Sequence, residues 1–309
     1  MKKILAIQSD ALNEINIETD TTLSLALEAQ KRNYQIIWYE TKDLNLIRSK
    51  VFVEGKKVRF YDKSKKFYKV IKTIKFDLAH AKVIFIRQNP PFNMDYINST
   101  HFLDHIKTKK IINNPTSIRN VSEKFYSTKF LRYMPETIFT KNIKQISSFL
   151  RKNKKIVVKP IHGYAGKNII YINKTLNQGI LKKYIKKFDH VMVQKYLNKV
   201  QEGDKRVFII NGKVKGAIRR LPRKGSILSN ISQGGIALKT KLNSRELKIS
   251  KIVATSLKKS GIFFAGIDFV DGYLIGDINV TSPTGLPQYK NLTGKNLAID
   301  FWNELEKLK

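Results

Sequence analysis

The sequence predicts an α/β protein, and three observations carry that expectation. A short apolar run, an amphipathic helical stretch and a second apolar run open the chain in the order of a βαβ unit on a parallel sheet. Near the other end, Phe263 to Val270 and Tyr273 to Val280 are β-rich runs separated by Asp271-Gly272. That dipeptide tolerates the positive φ angles of a type I′ hairpin turn. With 309 residues, 42% of them apolar, the chain is long enough for two or three packed subdomains around a sizeable core.

Composition narrows the chemistry. There are no cysteines, which excludes disulfides, thiolate zinc sites and cysteine nucleophiles and agrees with a reducing, cytoplasmic setting. Lys2-Lys3 before Ile-Leu-Ala-Ile imitates the start of a signal peptide, but the apolar run stops at Gln8-Ser9-Asp10, too short for its hydrophobic segment. No stretch approaches the length of a membrane span, so no membrane partner is expected. The formal net charge of +35 would suit a polyanion-binding protein. The lysines are scattered, however, and the densest runs, Lys152 to Lys155 and Lys182 to Lys187, fall where surface helices and turns are expected. No specific nucleic-acid partner is therefore expected.

Taken in order, Lys3 to Ile7 reads as the first strand and Thr19 to Lys31 as a helix. Asp20 can cap its start, Leu23, Ala26, Leu27 and Gln30 share a face, and Asn33 can close it. Ile36 to Tyr39 and Lys82 to Ile86 are further strands, with Val51 to Tyr61 between them as a charged hairpin insertion. No Gly-x-Gly-x-x-Gly follows the first strand, so a dinucleotide site is not supported. Arg87-Gln-Asn-Pro-Pro-Phe92 is a rigid loop at a strand's C-terminal edge, because consecutive prolines bar both helix and central ladder. Ligands of open α/β sheets bind at such edges, where an Arg can fork onto a carboxylate; a structural turn with an exposed Arg reads equally from these residues.

In the middle, Ser122-Glu-Lys124 opens a helix with Ser122 as N-cap. Lys155 to Pro160 and Asn168 to Ile172 are strands joined by Ile-His-Gly163-Tyr-Ala-Gly166, a loop that could fold over phosphates or be an ordinary hairpin connection. It is not a Walker A, and His162 alone in it is not assigned a catalytic role. Val191 to Leu197, containing Gln194 and Tyr196, is a strand whose edge could meet an adenine or simply lie in the core. Glu202 to Arg206 is a polar turn into a strand through Ile210, and Arg219-Arg220-Leu-Pro222 ends the next strand. Leu247 to Lys259 is a helix closed by Gly261, and Leu297 to Leu308 a closing amphipathic helix.

In the Asp-Gly hairpin a tight turn pairs Val270 with Tyr273 and Asp268 with Ile275. Asp277 and Asn279 then project on the same face as Asp268. Two carboxylates and an amide oxygen on one face would suit an oxygen-liganded cation such as Mg²⁺; the solvent face of a hairpin would carry the same residues.

The string Asp268, then Asp277-Ile-Asn279-Val-Thr-Ser-Pro-Thr284, resembles the metal-binding end of an ATP-grasp ligase, and more narrowly prokaryotic glutathione synthetase. The similarity extends to Arg87–Phe92, Glu123-Lys124, Lys159-Pro160 and Gly203-Asp204-Lys205-Arg206, covering nearly the whole chain. It implies a Rossmann-like N-terminal domain over 1–121 and a two-subdomain ATP-grasp fold over 122–309, with a lid at about 122–195 and a catalytic part at about 196–309. It implies that Lys124, Lys159, Gly163, Gly166, Gln194, Tyr196, Leu197 and Asp204 bind ATP, and that Arg206 and Arg220 act in catalysis. Asp268, Asp277 and Asn279 would hold Mg²⁺ or Mn²⁺, and Arg87, Asn230, Gly234 and Gly235 would hold substrate. The reaction implied joins γ-glutamylcysteine and glycine into glutathione through an acyl phosphate, releasing ADP and phosphate, in a homo-oligomer, often a tetramer in this family.

The sequence departs from the family pattern at Gln88 and Asn89 for Lys and Asp, Leu228 for an Arg expected to face the acyl substrate, and Asp277 for Glu. These departures leave open a related ligase with another acyl substrate or a degenerate nucleotide-binding paralogue. The net charge leaves open a basic nucleic-acid-binding protein.

Overall fold

The computed structural model describes residues 3–62, 66–106, 110–222 and 235–308. The described strands fall into three sheets. The first is built on β1 (Lys3–Gln8), whose apolar run is buried on both faces and pairs in parallel with β2 (Tyr34–Tyr39) and β6 (Val83–Ile86). The α1 helix (Thr21–Lys31) crosses between β1 and β2, and the Asp20 carboxylate accepts from the Leu23 N–H at 2.7 Å, as the sequence predicts. Asn33 takes a positive φ of 64° directly after the helix, the conformation that reverses the chain into β2.

The stretch expected as a hairpin over Val51 to Tyr61 is instead mostly one long strand. In chain order β3 (Leu44–Ile47), β4 (Lys50–Phe60) and β5 (Tyr68–Asp77) form an antiparallel meander, joined to the sheet through β2 and β4. The first reversal is made at Arg48 and Ser49, both at positive φ. Gly55 sits inside β4, and the Ile37 side chain of β2 fills the place its Cβ would take. The sheet is completed by β7 (Lys110–Ile112), parallel to β6, with α2 (Met94–Asp104) connecting the two and α3 (Pro115–Asn120) following.

The second sheet has the order β10-β9-β11-β8, all antiparallel, from β8 (Thr137–Thr140), β9 (Lys155–Pro160), β10 (Ile170–Asn173) and β11 (Val191–Lys195). Helices α4 (Ile143–Asn153) and α5 (Gln178–Phe188) bury Ile146, Phe149, Leu150, Leu181 and Tyr184 against Ile156, Val158, Val191 and Val193.

The third sheet has the order β14-β13-β12-β15-β16, also antiparallel, from β12 (Asp204–Ile210), β13 (Lys213–Leu221), β14 (Ile236–Lys239), β15 (Phe264–Val270) and β16 (Tyr273–Asn279). Strand alternation divides β12 between two cores. Val207 and Ile209 meet Ile249, Val253 and Leu257 of α6 (Ser244–Lys259). Phe208 and Ile210 join a core shared with the first sheet and with α7 (Leu286–Thr293) and α8 (Leu297–Glu306).

Two features fasten the first sheet to the third. Trp302 of α8 is buried beside Phe85 and donates its indole N–H to the Leu25 carbonyl at 2.9 Å. The Asn113 side chain donates to the carbonyls of Phe264 and Val280 and accepts from the N–H groups of Phe263 and Phe264, at 2.7 to 2.9 Å.

Candidate active site

The register of the third sheet builds the centre of the site. On β13, β12 and β15, Asp204 lies opposite Arg220 and Arg206 opposite Asp268. Arg206 grips Asp268 through two nitrogens, Nε–Oδ1 and Nη2–Oδ2, the latter at 2.8 Å. Arg220 binds both oxygens of Asp204 at 2.7 and 2.8 Å and reaches Asp268 Oδ2 at 3.0 Å. All four side chains are buried. Burial opposes ionisation of Asp268, but the two guanidinium groups outweigh it and hold its carboxyl below the usual range.

The Asp-Gly turn forms as expected, with Asp271 at φ 50° and Gly272 at φ 75°, and Val270 pairs with Tyr273. The expected pairing of Asp268 with Ile275 is not seen. The register shifts between Ile267 and Phe269, so that Ile267 pairs with Ile278 and Gly266 with Asn279. Gly276, at φ 83°, lies in this irregular stretch beneath Met192 and Met134. An irregularity here lengthens one strand without losing the shared face. Asp277 still reaches the cavity, where Lys159 Nζ meets its Oδ2 at 3.2 Å and Lys124 Nζ its Oδ1 at 3.5 Å. Burial opposes its charge too, and the two lysines bring its pKa down to about 2.

One cavity gathers Lys124, Lys159, Gly163, Gly166, Gln194, Tyr196, Leu197, Asp204, Arg206, Arg220, Asp268, Asp277 and Asn279. The β9 and β11 strands supply Lys159 and Gln194, whose amide donates to Thr137 at 2.9 Å. Tyr196 packs against Tyr171 of β10 with ring centroids 4.6 Å apart. Lys124 also donates to the Gly163 carbonyl at 2.7 Å, which ties it to the glycine-bearing loop.

Other expectations fare differently. The segment after Ser122 is a 3₁₀ helix, Phe125–Tyr133, with Lys124 at its N-cap position and no side-chain cap, so Ser122 is not the cap. Ser127 and Thr128 return their hydroxyls to the Lys124 and Phe125 carbonyls, side-chain bonds that compete with regular helix. Arg87 does not line the cavity. It is buried, donating to Thr22 Oγ1 at 3.0 Å and to the Pro283 carbonyl at 3.1 Å, with Nη1 unpartnered and burial pulling its pKa down to about 10. Gly235 is half-buried at the start of β14 and lines no described cavity. Asn230 and Gly234, like Leu228, lie outside the described residues.

Glu123 is a site residue the sequence reasoning missed. It lines both the main cavity and an adjoining cleft formed by Pro90, Phe92, His162, Tyr164 and Thr281. Burial pushes its pKa up to about 7, Lys124 lowers it, and Asp277 raises it further. In Ser-Glu-Lys124 the acid stands beside a lysine the family resemblance assigns to ATP, but nothing local marks it as buried.

The donor set fits a hard cation. Asp277 is close enough to Asp268 to disfavour its charge, and the Asn279 side-chain oxygen has no donor among the described residues. Among those residues no three His, Cys, Asp or Glu side chains are grouped to hold a metal. Two carboxylates and an amide suit Mg²⁺, which takes few protein ligands and relies on substrate phosphates for others.

Comparison with known proteins agrees with this geometry. A solved D-cycloserine synthetase superposes with a TM-score of 0.68 at 14% identity, covering 99% of this chain and 100% of the other. The ATP-grasp ligase PsnB, solved with a precursor variant, Mg and ADP, gives 0.61 at 13% identity and covers 99% and 98%. These likenesses show the fold alone; the family models give the class, an ATP-grasp ligase, which uses ATP. The family model for the prokaryotic glutathione synthetase N-terminal domain matches residues 3–119, and the model for its ATP-grasp domain matches 123–294. The glutathione synthetase of Mesorhizobium japonicum is 35% identical over 310 residues, covering 99% of each chain. This chain belongs to the prokaryotic glutathione synthetase family, ATP-dependent carboxylate–amine ligases that make glutathione. No helix among the described residues is long and apolar enough to cross a membrane.

Proposed function

We propose that the chain forms glutathione by phosphorylating the cysteinyl carboxylate of γ-glutamylcysteine and passing the acyl group to glycine. The observation that carries this mechanism is the convergence of Lys124, Lys159, Arg206 and Arg220 from four different segments on one cavity that also holds Asp268 and Asp277. Four cations around a cleft suit a triphosphate and the charge that moves during phosphoryl transfer. Gln194, Tyr196 and Leu197 border the adenine end, Asp204 the ribose, and the Gly163–Gly166 loop covers the phosphates. The substrate carboxylate attacks the γ-phosphate to give an acyl phosphate and ADP. The glycine amine then attacks the acyl carbon, and phosphate leaves. Arg206 and Arg220, fixed by their carboxylate partners, neutralise the transferring group, so the protein positions and supplies charge without an enzyme nucleophile.

Asp268, Asp277 and the Asn279 oxygen would hold Mg²⁺, with Mn²⁺ as a substitute; bound there, the ion would neutralise phosphate charge. Arg87, with Nη1 unpartnered, would take a carboxylate of the dipeptide after a small movement, and Asn230, Gly234 and Gly235 would complete the acyl site. Residues 1–121 would form a Rossmann-like N-terminal domain and 122–309 the ATP-grasp fold, with a lid at about 122–195 and a catalytic part at about 196–309. The family likeness and the absence of cysteine support a cytoplasmic homo-oligomer.

The test is phosphate release from Mg-ATP with γ-glutamylcysteine, with and without glycine. Release that needs both, with glutathione formed in equal amount, is the expected result. ATP binding without that turnover would reject this pair of substrates, and failure to bind ATP would reject the mechanism.

A further inference from the structure

Each carboxylate of the main cavity except one is hydrogen-bonded or ion-paired by cationic side chains. Arg220 holds Asp204, Arg206 and Arg220 hold Asp268, and Lys124 and Lys159 hold Asp277. Glu123 differs. Its Oε1 accepts only from the Thr281 hydroxyl, at 3.4 Å, and no lysine or arginine is within ion-pair reach among the described residues. The surface it exposes belongs to the main cavity and to the narrow cleft beside it. A half-buried carboxylate facing a cavity without a cation is costly, and a cationic ligand relieves that cost.

Glu123 lies outside the set Asp268, Asp277 and Asn279 that would hold Mg²⁺. The neighbouring walls explain what could reach it. Phe92 and His162 stack across the cleft with centroids 6.4 Å apart, and Pro90, Val121 and Ile161 complete an apolar lining. A bulky side chain on the ligand would have to displace this stack, whereas a small amine would not.

We infer that Glu123 anchors the ammonium group of the acceptor amino acid, and that the Phe92–His162 cleft restricts that acceptor to the smallest side chain. This rests on the ligase reading above. Glu123 holds the ammonium beside the cavity in which the acyl phosphate forms. The ammonium passes one proton to the Glu123 carboxylate, which frees the lone pair to form the bond to the acyl carbon. The acyl–oxygen bond to phosphate breaks with its electron pair leaving on phosphate, and the second proton passes from the new amide nitrogen to the departing phosphate.

The test compares two acceptors in the wild-type protein and in Glu123→Gln. Glycine arrives as an ammonium ion; hydroxylamine is neutral near pH 7 and traps the same acyl phosphate as a hydroxamate without needing an anion. The KM for glycine is expected to rise at least about tenfold in E123Q, while those for ATP and γ-glutamylcysteine stay within about twofold. Glutathione formation should fall far more than hydroxamate formation. An unchanged glycine KM, or equal loss of both products, would overturn the assignment. E123D keeps the charge and should stay closer to wild type than E123Q in glycine KM; equal rises in the two variants would also overturn it, and E123D serves alone should E123Q fail to fold. If the wild-type protein yields neither product, the ligase mechanism itself fails, an outcome distinct from a failure confined to the variants.

Discussion

Asp268 and Asp277 sit on paired strands of one hairpin, and both are held ionised, yet by different means. Asp268 lies within a sheet, gripped through two nitrogens by an arginine directly opposite it and touched by a second arginine that is itself fastened to Asp204. Asp277 is met by the ends of two lysines, one from β9 and one from the segment preceding the 3₁₀ helix. A guanidinium fork fixes direction, whereas an ammonium on a flexible stem is a movable point charge. The Asp268 cluster is therefore the fixed half of the site and the Asp277 cluster the exchangeable half, whose lysines can turn to incoming phosphates without dismantling a sheet.

Substitutions can break that comparison. Asp268→Asn leaves buried Arg206 without its carboxylate, while Arg220 keeps Asp204, and should cost about 3 to 5 kcal/mol of unfolding free energy, read from urea denaturation. A loss under about 2 kcal/mol would show the two halves to be alike. Gly276→Ala introduces a Cβ at positive φ against Met192 and Met134 and should cost about 1 to 3 kcal/mol by the same measurement. Asp277→Asn leaves buried Lys124 and Lys159 without their shared carboxylate and should cost about 1 to 2 kcal/mol, less than Asp268→Asn because Asp277 is itself partly exposed, while ATP-dependent turnover falls at least about a hundredfold.

The smallest effect is on pH dependence. The Asp277 pKa is lowered from 3.8 to about 2, so its stabilising contribution is whole above pH 3.8 and disappears as pH falls towards 2. Asp277→Asn should flatten that acid limb. Glu123 has the opposite sign: raised from 4.5 to about 7, it makes the fold lose stability as pH rises across that interval. Glu123→Gln should flatten that neutral limb. Denaturation midpoints at stepped pH test both.

These contrasts also mark what the sequence could reveal. The Asp-Gly turn and the Asp20 cap were legible because turn and cap chemistry are local, whereas Asp204 to Arg206 read as a polar turn and instead open β12, because pairing with β13 and β15 holds them in the sheet. The register shift was not, because Gly276 is shaped by Met192 and Met134 from outside the third sheet. The hairpin expected over Val51 to Tyr61 failed for the same reason: β4 runs unbroken through it because it pairs with β2, β3 and β5. Glu123 was unreadable as a perturbed acid because burial by distant segments creates the perturbation. Arg87 was placed correctly on its loop, but its bonds to Thr22 and Pro283 join residues far apart in the chain.

The shared core around Phe85, Phe264, Phe301 and Trp302, with Asn113 bridging to the third sheet, has a consequence for how the molecule can be divided. The two family models meet between residues 119 and 123, but that junction is a seam in the text of the chain and not in its packing. The closing helix α8 returns to seal the first sheet, so a fragment ending near residue 121 would present an uncovered apolar face, and the remainder would carry Trp302 into water. Like an arch completed by its last stone, the first sheet waits for the end of the chain before it is whole.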